Sequence, residues 1–178
     1  MAIFKIVEKN KAFSHLIQYS DDEALYKLAD YCVTDKETEE LFTYFGGHYL
    51  NSLLPVDVAG EMRQVQEVFS KNEGRKLFHF VLGFAPHEGV TPRLAYDIVW
   101  NATRCYPDHQ VYFGVHEDNG LERLHAHIIV NPVSFITGEK FAHDYEVQYH
   151  YAQAIMAECL YRGLPIGVHV VNHNTVRR

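Results

Sequence analysis

QVYFGVHEDNGLERLHAHIIVN, residues 110–131, decides the architecture. Over residues 110–117 the side chains alternate, with Val111, Phe113 and Val115 on one side and Tyr112, Gly114 and His116 on the other. That is the two-residue period of a pleated strand. Residues 124–131 repeat it: Leu124, Ala126, Ile128 and Val130 are directed to a core, while His125, His127, Ile129 and Asn131 point away. Between the two segments lies Asn119-Gly120, a dipeptide that accepts the left-handed backbone of a tight hairpin. The segments are expected to be antiparallel neighbours, with His116, His125 and His127 on one face.

Working outward, residues 20–31 read as a short helix with Ser20 as its cap, Glu23 three residues on, and Leu25, Leu28 and Ala29 at helical spacing. Residues 41–45 (LFTYF) read as a strand ended by Gly46-Gly47. Asp57 is the expected cap of a helix carrying Val58, Met62, Val65 and Phe69. Residues 76–84 (KLFHFVLGF) are too apolar for a one-sided strand, which places them centrally in the sheet. A helix is expected from Thr91-Pro92 to about Tyr106, a second hairpin turning at Thr137-Gly138, a long helix over residues 146–161 closing at Gly163, and a last strand over residues 166–171. The pattern gives an α+β domain of two layers, a central antiparallel sheet with helices packed on it.

The chain has 178 residues, 47% of them hydrophobic and 22% charged, so a single folded domain over residues 1–178 is expected and disorder is not. Sixteen basic against 23 acidic residues leave a net charge of −7, a poor match for coating long duplex DNA; any nucleic-acid site must be local. Cys32, Cys105 and Cys159 have no CxxC spacing and are odd in number, which fits a reducing, cytoplasmic setting. No apolar run is long enough for a membrane span, the start MAIFKIVEKNKAF lacks the build of an export signal, and no membrane partner is expected.

Twelve histidines are several times what composition alone suggests, and their arrangement decides what they do. His125 and His127 lie about 6 to 7 Å apart along one strand, near enough for both rings to lean onto one ion, and His116 joins them across the hairpin. Three neutral imidazole nitrogens leave coordination positions open for water or substrate, as a catalytic metal site requires. The competing interpretation of an HxH strand is a pair of exposed or hydrogen-bonded histidines. Asp118 reads either as an acceptor holding a ligand ring or as an ordinary turn residue. His79, between two phenylalanines, reads as a core histidine or as a support to the ligands. Asn131 either bonds near the site or ends its strand, and Tyr112 and Tyr149 are candidates for stacking on nucleobases.

Residues 116–140, HEDNGLERLHAHIIVNPVSFITGEK, resemble the third motif of plasmid mobilisation relaxases: His-x-Asp, then HxH, three apolar residues, Asn, and a Ser-Phe-x-x-Gly-Lys hairpin. Residues 78–92 (FHFVLGFAPHEGVTP) resemble that family's second segment and residues 31–38 (YCVTDKET) its first, so the likeness covers roughly residues 28–165. Glu37 stands where the family has lysine, Gly83 where it often has serine, and one residue is added between His116 and the HxH. The resemblance implies an HUH endonuclease with a ferredoxin-like or palm-like sheet. It further implies a divalent metal on His116, His125 and His127, and Tyr31 as nucleophile. The implied ion is magnesium or manganese, with zinc, nickel and cobalt as alternatives. The implied reaction nicks single-stranded DNA at a transfer origin through a 5′-phosphotyrosine, with accessory mobilisation proteins and a coupling protein as further partners.

A phenol with a pKa near 10 is ionised to only about one part in a thousand at pH 7, so Tyr31 needs a base; Glu88 and Asp118 are the candidates, each with a solvated-carboxylate alternative. Three other functions stay open: an HUH replication initiator or transposase, a DNA- or metal-binding module without catalysis, and a histidine metalloenzyme that is not a nuclease.

Overall fold

A computed structural model describes residues 3–6, 22–35, 38–84, 89–118, 123–141 and 144–164. In chain order the elements are β1 (Ile3–Ile6), α1 (Asp22–Val33), β2 (Tyr44–His48), α2 (Pro55–Val68), β3 (Phe78–Gly83), α3 (Pro92–Ala102), β4 (Val111–Asp118), β5 (Arg123–Val130) and α4 (Asp144–Tyr161). The strands form one five-stranded sheet in the order β1-β3-β5-β4-β2, every neighbouring pair antiparallel. This is the α+β class expected from the alternating segments.

The two strands read first are paired as their pattern requires, with His116 opposite His125 and Gly114 opposite His127. Val111, Phe113 and Val115 of β4 and Leu124, Ala126, Ile128 and Val130 of β5 enter one core with Ala95, Ile98 and Val99 of α3 and Val147, Tyr151 and Ile155 of α4. The opposite face is also covered. Tyr112 and Ile129, expected to point away from the core, are fully buried under Leu28, Cys32, Val58 and Met62 of α1 and α2. The sheet therefore carries helices on each face, and on the α1 and α2 side His127 is buried while His116 and His125 are half-buried. Burying an Ile- or Tyr-sized apolar surface contributes about 1.5–3 kcal/mol, which is why two such residues hold α1 and α2 down.

Several expected boundaries move. Gly46 and Gly47 do not end β2 but lie inside it, opposite Phe113 and Tyr112. A β-carbon on Gly47 would stand 2.6 Å from the Val111 carbonyl oxygen, and one on Gly46 would crowd Tyr96, Phe113 and Trp100. The glycines permit close approach instead of a turn. α2 begins at Pro55, with Leu54 at the cap; Asp57 lies in its first turn and accepts a bond from the Ser52 hydroxyl at 2.7 Å. β3 is the second strand of the sheet and β5 the central one. α3 starts as expected, the Thr91 hydroxyl accepting from the Leu94 amide at 3.2 Å. The second hairpin is reduced to a single bridge between Val133 and Lys140, with Gly138 at a φ of 71° in its turn. β1, which pairs with β3, was not anticipated. Ser20, Asn119-Gly120 and the strand expected over residues 166–171 lie outside the described residues.

Candidate metal centre and nucleophile

Hairpin register does the first part of the assembly. Because His116 and His125 are directly opposed and His127 follows two residues along, the three rings share one patch of the sheet. Their centroids are 4.0 Å apart for His116 and His125, 5.0 Å for His125 and His127, and 5.1 Å for His116 and His127. One ring nitrogen from each lies within 4.8 Å of the others, a spacing from which a single cation can be gripped. His127 is buried and the other two half-buried, so the cluster faces inward on one side and is reachable on the other.

Helix α1 delivers Tyr31. Leu25, Leu28, Ala29, Cys32 and Val33 are its buried stripe. Tyr31 sits half-buried in the last turn, beside that stripe. Its ring lies 4.8 Å from that of His127, edge-on at 71°. The chain leaves the helix through a Thr34 hydroxyl bond to the Asp30 carboxylate at 3.0 Å, makes a bridge between Thr34 and Leu41, and returns with the Phe42 amide donating to the Val33 carbonyl at 2.7 Å. This loop places Phe42 flat on His116, 4.5 Å between centroids and 6° from parallel. Tyr31 and Phe42 thus flank the cluster from the two sides of one arm. Phe42 gave no sequence signal: it reads as one more aromatic of a β-prone run.

Below the cluster, His79 of β3 reaches His127 of β5, Nε2 to Nδ1, at 2.9 Å. His79 is buried, and burial pushes its pKa down to about 4, so it stays neutral at ordinary pH. It contacts the three-histidine cluster without belonging to it.

Other candidates lie elsewhere. Asn131 is fully buried, donating to the Met62 carbonyl at 3.0 Å and to Gln110 Oε1 at 2.9 Å, and accepting from Gln66 Nε2 at 3.1 Å. It ties the end of β5 to α2. Tyr112 is buried with its hydroxyl donating to the Leu53 carbonyl at 2.7 Å, so it offers no stacking face. Tyr149 is exposed, on α4, which with α3 covers the opposite face. His48 packs on Trp100 and bonds its carbonyl at 3.0 Å. Tyr44 packs on Tyr96 of α3, and Tyr49 on Phe135. The backbone of Asp118 pairs with Arg123 where β4 ends and β5 begins, and Glu88 lies outside the described residues.

The family described as "Relaxase: MobA/VirD2-like, nuclease domain" matches residues 31–164, three-quarters of the chain, beginning at Tyr31 and including all three histidines. The chain belongs to this family. Among curated relatives of this relaxase domain, Protein rlx of Staphylococcus aureus is 28% identical over 105 residues, 58% of this chain. The match spans 31% of that relative's length. A solved structure from work on vancomycin resistance transfer in Staphylococcus aureus superposes with a TM-score of 0.52 over 83% of this chain and 90% of the other, at 10% identity. That likeness establishes the relaxase domain's fold. No helix among the described residues is long and apolar enough to cross a membrane.

Proposed function

We propose that this domain is a metal-dependent relaxase that nicks single-stranded DNA at a transfer origin, with Tyr31 as nucleophile and His116, His125 and His127 as the metal ligands. The observation that carries this reading is the 4.8 Å separation of the Tyr31 and His127 rings, which sets a phenol beside a three-nitrogen cluster. The donor set fits a divalent cation: three neutral imidazoles suit transition-metal ions, whereas magnesium prefers oxygen ligands, so manganese is the better match of the two. Such a cation, when bound, supplies Lewis-acid polarisation of the scissile phosphate.

The chain's own residues do the rest. Tyr31 is held on a packed helix, so its hydroxyl is presented without an entropic search. Its oxygen forms the new bond to phosphorus as the bond to the 3′-oxygen breaks; the phenolic proton passes to a base, for which Glu88 and Asp118 are the proposed carboxylates, and the departing oxygen is protonated to a free 3′-OH. The 5′-phosphotyrosine keeps the ester energy, and attack by a 3′-OH reverses the step. Phe42 holds His116 in orientation by stacking on it. Accessory mobilisation proteins and a coupling protein belong to the same proposal, as does a role in plasmid mobilisation.

The test is a denaturing gel with single-stranded oligonucleotides carrying candidate origin sequences. A covalent adduct that needs Mn²⁺ or Mg²⁺ and vanishes in Tyr31→Phe supports the proposal. DNA binding without cleavage under any divalent ion contradicts it and identifies a binding module, and an adduct persisting in the variant removes Tyr31 from the role. Cleavage confined to replication origins or transposon ends would reassign the biological step.

A further inference from the structure

We infer that His79 is a positioning residue for the metal centre, a neutral imidazole that fixes the tautomer and rotation of His127 through the 2.9 Å bond between its Nε2 and the Nδ1 of His127. This rests on the reading of His127 as a ligand.

Register makes the contact possible. In the β3–β5 pair His79 is opposite Ile129 and Val81 is opposite His127, so the two imidazoles are diagonal neighbours on one face. Their rings lie 5.1 Å apart at 25°. With the Nδ1 of His127 engaged below, Nε2 is the ring nitrogen left to bind a cation. That nitrogen offers a lone pair only when the proton sits on Nδ1. His127 then donates and His79 Nε2 accepts, which puts the proton of His79 on its own Nδ1.

That second nitrogen is where the cost shows. Nδ1 of His79 is buried with no hydrogen-bond partner among the described residues. An unsatisfied buried polar group costs about 1–3 kcal/mol, and a leucine of similar volume would fill the site without it. An imidazole at residue 79 is therefore disfavoured by packing alone, and the bond to His127 is the gain that offsets it. Outer partners of metal-bound histidines are commonly carboxylates, which add negative charge to the site. A neutral imidazole orients the ring and adds none, leaving the full charge of the cation directed at a phosphate.

The test compares Mn²⁺ binding by isothermal titration in the wild type, His79→Phe and His79→Gln, with circular dichroism to establish that each is folded. Phenylalanine removes the acceptor and should weaken binding roughly 10- to 100-fold. The glutamine amide oxygen reaches near where Nε2 lies and should recover most of the loss. An unchanged affinity in His79→Phe, or a His79→Gln as weak as His79→Phe, overturns the inference while leaving the metal reading intact; a wild type that binds no Mn²⁺ overturns both. Should neither variant fold, ¹⁵N spectra of the Zn²⁺-loaded wild type decide: His127 protonated at Nδ1 supports the inference, and protonation at Nε2 overturns it.

Discussion

Gly114 of β4 and Cys32 of α1 touch backbone to backbone. A β-carbon on Gly114 would fall inside the Cys32 carbonyl oxygen's envelope and 2.8 Å from its carbon. Gly114 is paired with His127, and Cys32 follows Tyr31, so this one contact sets how close the proposed nucleophile comes to the proposed ligand. The missing side chain is what lets the helix settle onto the strand.

Gly114→Ala should therefore lift the end of α1. A loss of about 1–3 kcal/mol of stability is expected from overpacking, read by urea denaturation. Adduct formation should fall by more than tenfold while Mn²⁺ affinity, set by β4 and β5, changes little. Equal losses in both would mean that the glycine matters only for folding.

Alanine at His116, His125 or His127 should abolish the rise in melting temperature that Mn²⁺ gives the wild type. A ligand at a hundred times its dissociation constant stabilises by about 2.7 kcal/mol, an effect readily seen by calorimetry. His48→Ala, far from the cluster, should keep the Mn²⁺ response whatever it does to basal stability. Because the ligands bind as neutral imidazoles, the Mn²⁺ response should fade as the pH drops through the histidine range.

Acid should weaken the metal-free fold through His79. Its pKa is held down to about 4 by burial, against 6.5 for the free side chain, so between those values the unfolded chain binds the extra proton. Stability is then fully present above about pH 6.5 and is lost as the pH falls toward 4, by on the order of 3 kcal/mol. Burial also lowers the pKa of His48 and His109, in the same direction. Denaturant midpoints across that window should flatten in His79→Phe; an unchanged slope would place the linkage elsewhere.

Asn131→Leu should cost stability without touching the site. It would strand Gln110 Oε1 and the Val133 amide in a dry interior, at about 1–3 kcal/mol for each group left unpaired. Mn²⁺ affinity should stay within about twofold of wild type, since the bonds tie α2 to the strand end rather than to the histidines. A larger change in affinity would mean that the network reaches the cluster.

The strand pairing and the histidine face were legible because side-chain alternation acts locally. Covalent geometry alone puts His116, His125 and His127 on one side of two adjoining strands. What was not legible depends on distant chain. Ile129 and Tyr112 read as outward because nothing in their own strands announces that α1 and α2 will cover them. Gly46 and Gly47 read as a stop because a glycine needed for close approach looks, in one dimension, like a glycine needed for a turn. Phe42 carries no local pattern tying it to His116, and His79 could be read as core or as support until its neighbour across the sheet was known. Tyr31 was singled out by resemblance, not by periodicity, which treats it as one helix residue among several tyrosines.

The most direct measurement is anomalous diffraction at the manganese edge from crystals soaked in Mn²⁺. One strong peak is expected within bonding distance of His116, His125 and His127, about 2.0–2.3 Å from a nitrogen of each, with the Tyr31 hydroxyl facing the same open side. A peak bound elsewhere, or three rings turned away from a common point while Mn²⁺ is present, would contradict it.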